Sequence, residues 1–166
     1  MPLEELLQAN ARYREGFSLG HLTSRAMKGV AILTCMDTRL DPLAIFGLSP
    51  GDAKIVRNAG ARVTPDVLRS LALATHFLGV SEIAVMQHTG CALAGRSDED
   101  VERDLAVRGV ALQGPRTAWL AMESPDDALV ADVELIRSSP LVAPGTRVEG
   151  WRYDVETGGV ERIVLG

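Results

Sequence analysis

Six consecutive residues, Val30-Ala-Ile-Leu-Thr-Cys35, carry no charge and are apolar at all but one position. A strand with one wet face would alternate apolar and polar side chains, so this unbroken run suits a strand buried on both faces, as in a parallel sheet. Two further segments fit the same sheet. Ala53 to Arg57 reads as a strand running into Asn58-Ala59-Gly60, where the glycine marks a tight turn or close backbone approach, and Glu82 to Gln87 reads as a strand ending at His88. Between them, Thr64-Pro65-Asp66 is a helix start: the hydroxyl caps, the proline suits the first turn and the acid complements the dipole. The helix runs from Pro65 to Leu78 with Val67, Leu68, Leu71 and Leu78 on its apolar stripe, and Gly79 stops it. Strand, helix, strand in this order predicts a right-handed crossover between parallel strands.

The rest of the chain supplies cover and an edge. Leu3 to Arg14 is an amphipathic helix followed by an irregular stretch from Gly16 to Gly29, and Leu43 to Leu48 is a short apolar segment. Ser97 and Ser124 open helices reaching about Arg108 and Arg137, the first through a capping-box pattern. Arg147 to Asp154 and Val160 to Leu165, joined through Glu156-Thr157-Gly158-Gly159, read as a β-hairpin. A chain of 166 residues, 46% hydrophobic, fills one core, so residues 1–166 are expected to form a single domain. The expected class is α/β, a mainly parallel central sheet flanked by helices with a C-terminal β-hairpin. The helix at 3–14 has no neighbour in sequence to pack on, which leaves the distant core or a second subunit.

The formal charge of −5 comes from acids and bases mixed along the chain. With no basic stripe, neither nucleic acid nor anionic lipid is an expected partner. The N-terminus lacks a basic segment followed by an apolar one, and no apolar run approaches a membrane span, so a cytoplasmic protein is expected. The two cysteines, Cys35 and Cys91, then suit metal binding or redox chemistry better than a structural disulfide.

Two clusters carry the chemistry: Cys35-Met36-Asp37-Thr38-Arg39 and His88-Thr89-Gly90-Cys91. Parallel strands place Cys35 and His88 at the same carboxyl edge, where open α/β sheets bind ligands. Two thiolates, an imidazole and a carboxylate are donors for tetrahedral zinc. Simpler readings stand beside this one: two buried cysteines acting as small apolar side chains, a satisfied histidine at a strand end, and a local ion pair between Asp37 and Arg39. On the sharper reading, Asp37 either fills the fourth coordination position or turns to Arg39 and leaves that position to water. His21 and His76 have no matching ligand nearby.

Cys-x-Asp-x-Arg at a strand end, Arg57-Asn58-Ala59-Gly60 after the next strand, and His-x-x-Cys after the following helix and strand resemble the β-carbonic anhydrases, in particular their smaller prokaryotic members. The likeness takes in Leu40-Asp41, Val67 to Leu71 and Tyr153-Asp154-Val155-Glu156-Thr157-Gly158, and so covers most of the chain. It implies one zinc ion per chain held by Cys35, His88 and Cys91, with Asp37 and Arg39 as the catalytic and gating dyad and Asp37 a potential fourth ligand. The implied activity is reversible hydration of carbon dioxide to bicarbonate and a proton. The implied assembly is a homodimer or higher homo-oligomer, with the helix at 3–14 reaching over the neighbouring subunit. The smaller members usually read His-Thr-Asp-Cys-Gly in the second cluster, whereas this chain has Gly90 and Ala92. Three rivals remain: a carbon disulfide or carbonyl sulfide hydrolase on the same scaffold, a non-catalytic zinc protein, and a thiol redox protein with a Cys35–Cys91 disulfide.

Overall fold

The structure is a computed structural model that describes residues 2–112 and 118–166. Its sheet has five strands in the order β2-β1-β3-β4-β5: β1 Val30–Cys35, β2 Ala53–Asn58, β3 Glu82–His88, β4 Arg147–Tyr153 and β5 Val160–Val164. The first four are parallel and β5 closes the edge antiparallel to β4. The expected α/β class and C-terminal hairpin are therefore present, and the hairpin extends the parallel sheet through β4. Five of the six residues of β1 and six of the seven of β3 are buried, as double-sided cover requires.

Two unequal layers cover the sheet. On one face lie α3 (Pro65–Phe77) and α5 (Pro125–Arg137), which join Leu33, Val85 and Val148 of the strands to Val67, Leu71, Leu129, Val133 and Ile136. On the other, Ile32, Ala84 and Met86 pack against Leu40, Phe46, Leu48 and Trp151, with only the one-turn helix α2 (Pro42–Ile45) among them. The helix starts follow their sequence signals in two of three cases. Thr64 Oγ1 accepts the N–H of Val67, and Ser97 and Asp100 form a reciprocal capping box at α4 (Asp98–Val107). Ser124 makes no side-chain cap, and Pro125 at the first helical position leaves one fewer N–H to satisfy.

Helix α1 (Leu3–Glu15) buries none of its residues, and Leu3, Leu6, Leu7 and Tyr13 are exposed on it. Among the described residues no helix is long and apolar enough to cross a membrane.

Candidate metal centre

The in-register pairing of β1, β2 and β3 brings their carboxyl ends to one edge. Cys35 lies beside Asn58, and His88 ends β3 one strand away. From there, three short segments converge: the Cys35–Arg39 turn, the turn after β2, and the loop from His88 to Cys91. The cysteine sulfurs and a ring nitrogen of His88 lie within 4.8 Å of one another.

Each donor is set by its neighbours. His88 Nδ1 lies 2.8 Å from the carbonyl oxygen of Thr89, which can only accept, so that nitrogen carries the proton and Nε2 is left as the donor atom. Thr89 is itself fixed by β4 and the hairpin turn: its N–H donates to Tyr153 O, and its Oγ1 accepts from Val155 N. Cys35 Sγ accepts the backbone N–H of Gly60 at 3.4 Å. That approach needs glycine, because φ at residue 60 is 75° and a Cβ would meet Leu93 Cδ1 at 3.2 Å and Met122 Cε at 3.4 Å. The turn is braced by Asn58, which bonds Arg62 through both backbone groups, and by Arg62, which pairs with the buried Asp132 at 2.6 Å. Arg57 fastens the first segment, donating to the carbonyls of Cys35 at 2.9 Å and Asp37 at 2.6 Å.

The electrostatics point to a cation. The two neighbouring thiols act on each other, pushing the Cys35 thiol down and the Cys91 thiol up, while burial opposes ionisation of both. Burial works against charge on His88 as well, but the Cys35 sulfur and the Thr89 carbonyl outweigh it and raise its pKa. Most telling is His88 Nε2, which is buried without a hydrogen-bond partner although it faces two sulfurs. A buried imidazole nitrogen facing a thiolate calls for a cation between them, a proton or a metal ion, and two sulfurs converging with one imidazole are donors that zinc accepts.

Asp37 and Arg39 stand at the mouth. Asp37 accepts at Oδ1 from Arg39 N and Nε, both at 2.9 Å, and at Oδ2 from Arg39 Nη2 at 2.7 Å. This bidentate clasp holds its carboxyl well below the usual carboxylate range. Oδ2 also lies 3.9 Å from His88 Nε2, so the carboxylate borders the donor cluster while paired to arginine. Arg39 Nη2 reaches across to Gly90 O at 3.0 Å and ties the two motifs together. A cleft of 380 Å³ opens here, lined by Cys35, Asp37, Arg39 and Cys91 together with Ala59, Gly60, Ala92 and Leu93. A larger cavity of 720 Å³ touches His88, Thr89 and Gly90, so the two sulfurs open to the smaller cleft while His88 borders the larger one.

The carbonic anhydrase family profile matches residues 30–113, which include both motifs. β-Carbonic anhydrase 1 of Mycobacterium tuberculosis is 34% identical over 162 residues, covering 96% of each chain.

The chain belongs to the β-carbonic anhydrase family.

The solved carbonic anhydrase of Streptococcus mutans superposes on this β-carbonic anhydrase fold with a TM-score of 0.90 at 35% identity, covering 98% of both chains. A carbon disulfide hydrolase of Saccharolobus solfataricus is 32% identical over 183 residues, covering 93% of this chain and 87% of its own. The family's metal is zinc, and the Cys35, His88 and Cys91 cluster fits it. The sequence motifs named these three residues together with Asp37 and Arg39, and the fold brings all five to one place. His21 and His76 lie apart, each bonded to a backbone carbonyl, of Ser18 and Leu141. Sequence reasoning missed the Gly60 N–H on the Cys35 sulfur and the two carbonyl bonds of Arg57. The adjacent Arg57-Asn58-Ala59-Gly60 motif was the available signal for both.

Proposed function

We propose that this protein is a zinc-dependent carbonic anhydrase, catalysing the reversible hydration of carbon dioxide to bicarbonate and a proton. The observation that carries this reading is the orphaned, buried His88 Nε2 facing two cysteine sulfurs beside a clasped Asp37–Arg39 pair. Zinc held by Cys35, His88 and Cys91 would supply Lewis-acid activation of water, which in histidine-ligated enzymes brings its pKa to about 7.

The chain's own groups do the rest. Asp37 Oδ2 accepts the O–H of the attacking oxygen and turns its free lone pair toward the substrate. Its clasp by Arg39 keeps Asp37 ionised, so it orients the nucleophile and does not take its proton. Ala59, Gly60, Ala92 and Leu93 give the cleft an apolar wall, which suits an uncharged linear substrate. The Arg39 guanidinium at the mouth favours the anionic product's exit path by Coulombic attraction. Its half-exposed position leaves that attraction weak enough for release.

Hydrolysis of carbon disulfide or carbonyl sulfide is the second reading, favoured by the likeness to carbon disulfide hydrolases and by the same apolar wall. Stopped-flow proton release on adding carbon dioxide, run beside sulfide release from the two sulfur substrates, separates the readings. Hydration by the zinc-loaded protein that His88→Ala abolishes supports the first. Sulfide release without hydration supports the second, and bound zinc with no turnover of any substrate makes the metal structural.

The assembly we propose is a homodimer or higher homo-oligomer, in which α1 packs on a neighbouring subunit. Its support is the exposed leucine face of α1 and the tetrameric β-carbonic anhydrases of Sordaria macrospora among proteins of this fold. The two unlinked cysteines suit the reducing cytoplasm, where we place the protein.

A further inference from the structure

We propose that the Thr89 hydroxyl is a positioning group for the metal centre: docked on the C-terminal hairpin, it aims the Thr89 carbonyl at His88 and so sets the ring that presents Nε2 to zinc. This inference rests on the zinc reading above and adds a side chain that touches neither the metal nor the substrate.

Three bonds converge on residue 89. Its carbonyl oxygen accepts from His88 Nδ1 at 2.8 Å, its N–H donates to Tyr153 O at 2.9 Å, and its Oγ1 accepts from Val155 N at 3.1 Å. The first two use backbone groups that almost any residue would offer. Only the third depends on the side chain. With Oγ1 in place, residue 89 is held at two points on the hairpin, so the carbonyl that faces His88 cannot swing about the single bond to Tyr153. Nε2 has no hydrogen-bond partner, so the Nδ1 bond fixes the rotation of the ring, and a shift of the Thr89 carbonyl is passed on to the metal-facing nitrogen.

The surface on which Thr89 docks is rigid for its own reasons. Asp154 stands between the two contact points and accepts at Oδ1 from Glu156 N and Thr157 N, both at 2.8 Å. The same turn is closed by Asp154 N to Gly159 O at 2.8 Å and Gly158 N to Asp154 O at 2.9 Å. Tyr153 ends β4 directly beside His88 in the parallel register of β3 and β4. The hairpin is thus indexed to the sheet at His88 itself, and the Thr89 hydroxyl carries that index one residue further, into the loop that ends at Cys91.

The test measures zinc affinity by competition with a chromophoric chelator, and the ring's hydrogen bond by the Nδ1–H proton resonance of His88 in zinc-loaded protein with isotope-labelled histidine. Thr89→Val and Thr89→Ala both remove the acceptor, one keeping the bulk and one not, and Thr89→Ser keeps the hydroxyl. Thr75→Val is the control: Thr75 Oγ1 accepts from Ala143 N at 3.2 Å, another hydroxyl bond between remote segments, in the last turn of α3. Thr89→Val and Thr89→Ala are expected to weaken zinc binding by about 10–100-fold, the usual cost of losing a partner behind a metal ligand, and to move or broaden the His88 resonance. Thr89→Ser is expected to restore both, and Thr75→Val to lose stability while binding zinc as wild type does. Wild-type zinc affinity without the Thr89 hydroxyl would overturn the inference. So would an equal loss in Thr75→Val, which would make the effect general destabilisation, or a loss with the His88 resonance unmoved, which would route it past His88. Failure of the wild type to take up zinc would overturn the metal reading itself, whereas equally tight zinc in wild type and Thr89→Val would leave that reading standing and remove only this one.

Discussion

Removing the Asp132 carboxylate should unfold this protein far more readily than its distance from the metal donors suggests. Asp132 is 3% exposed on α5 and accepts from Arg62 Nε at 2.6 Å, Arg62 Nη2 at 3.4 Å and Val63 N at 3.2 Å. The Arg62 side chain is itself only 12% exposed. Asp132→Ala leaves that guanidinium buried and unpaired, a loss of about 3–5 kcal/mol. With a urea slope of about 2 kcal/mol per molar, the midpoint should fall by about 2 M. Circular dichroism through a urea titration measures it, at one fixed protein concentration because subunit association shifts the midpoint. The companion variant Arg62→Met with Asp132→Leu should recover most of the loss, since it removes both charges together. Burial raises the Asp132 pKa even though Arg62 and the Val63 N–H oppose the rise. The ionisation-linked part of stability is therefore greatest below the unfolded value of about 3.9 and falls as pH rises through the folded-state value, while the loss in Asp132→Ala is the separate cost of leaving Arg62 without its partner. The pair's role is to avoid an isolated charge and to brace the Gly60 turn. A loss below about 1 kcal/mol in Asp132→Ala, or a double variant as unstable as the sum of its parts, would refute that reasoning.

Gly60→Ala should cost about 1–2 kcal/mol from its left-handed backbone alone, with a further loss of zinc affinity as Leu93 and Met122 are displaced; calorimetric melting and competitive metal titration read the two effects. Asp100 has its carboxyl held below the usual range, first by the Ser97 N–H and then by Arg103. Its folded value lies below the unfolded one, so the cap's contribution is present above about 3.9 and lost as pH falls through the folded value. The difference in melting temperature between wild type and Asp100→Ala should accordingly shrink between pH 6 and pH 3, on the order of the shift that one exposed cap provides. Stripping the metal with a chelator should lower the melting temperature by about 5–10 °C relative to protein in free zinc at about 100 times the zinc dissociation constant.

Much of this was legible in the chain because each signal was local. The unbroken run at Val30–Cys35 declared a buried strand, Glu82 to Gln87 declared a second strand ending at His88, and Thr64-Pro65 and Ser97 through Asp100 declared helix starts whose caps the structure displays. The donor residues were legible because both motifs end strands that topology makes neighbours. What was hidden depends on contacts between distant segments. Nothing in the sequence around Arg147 shows that β4 pairs in parallel with β3, because register between remote strands is fixed by tertiary packing. The Arg62–Asp132 pair spans α5 and the Gly60 turn, and neither residue stands out in its own neighbourhood. The direction of Asp37 was left open by sequence, since both zinc and Arg39 lay within its reach. In the structure it turns to Arg39.

The central claim, that Cys35, His88 and Cys91 together hold one zinc, is tested most directly by X-ray absorption at the zinc edge of protein purified without chelator. The account predicts one zinc per chain with two sulfur scatterers at about 2.3 Å and the remaining nitrogen or oxygen neighbours at about 2.0–2.1 Å. Cys35→Ser should remove one sulfur from that shell. A zinc shell made of nitrogen and oxygen alone, or a wild-type protein that takes up no zinc, would contradict it.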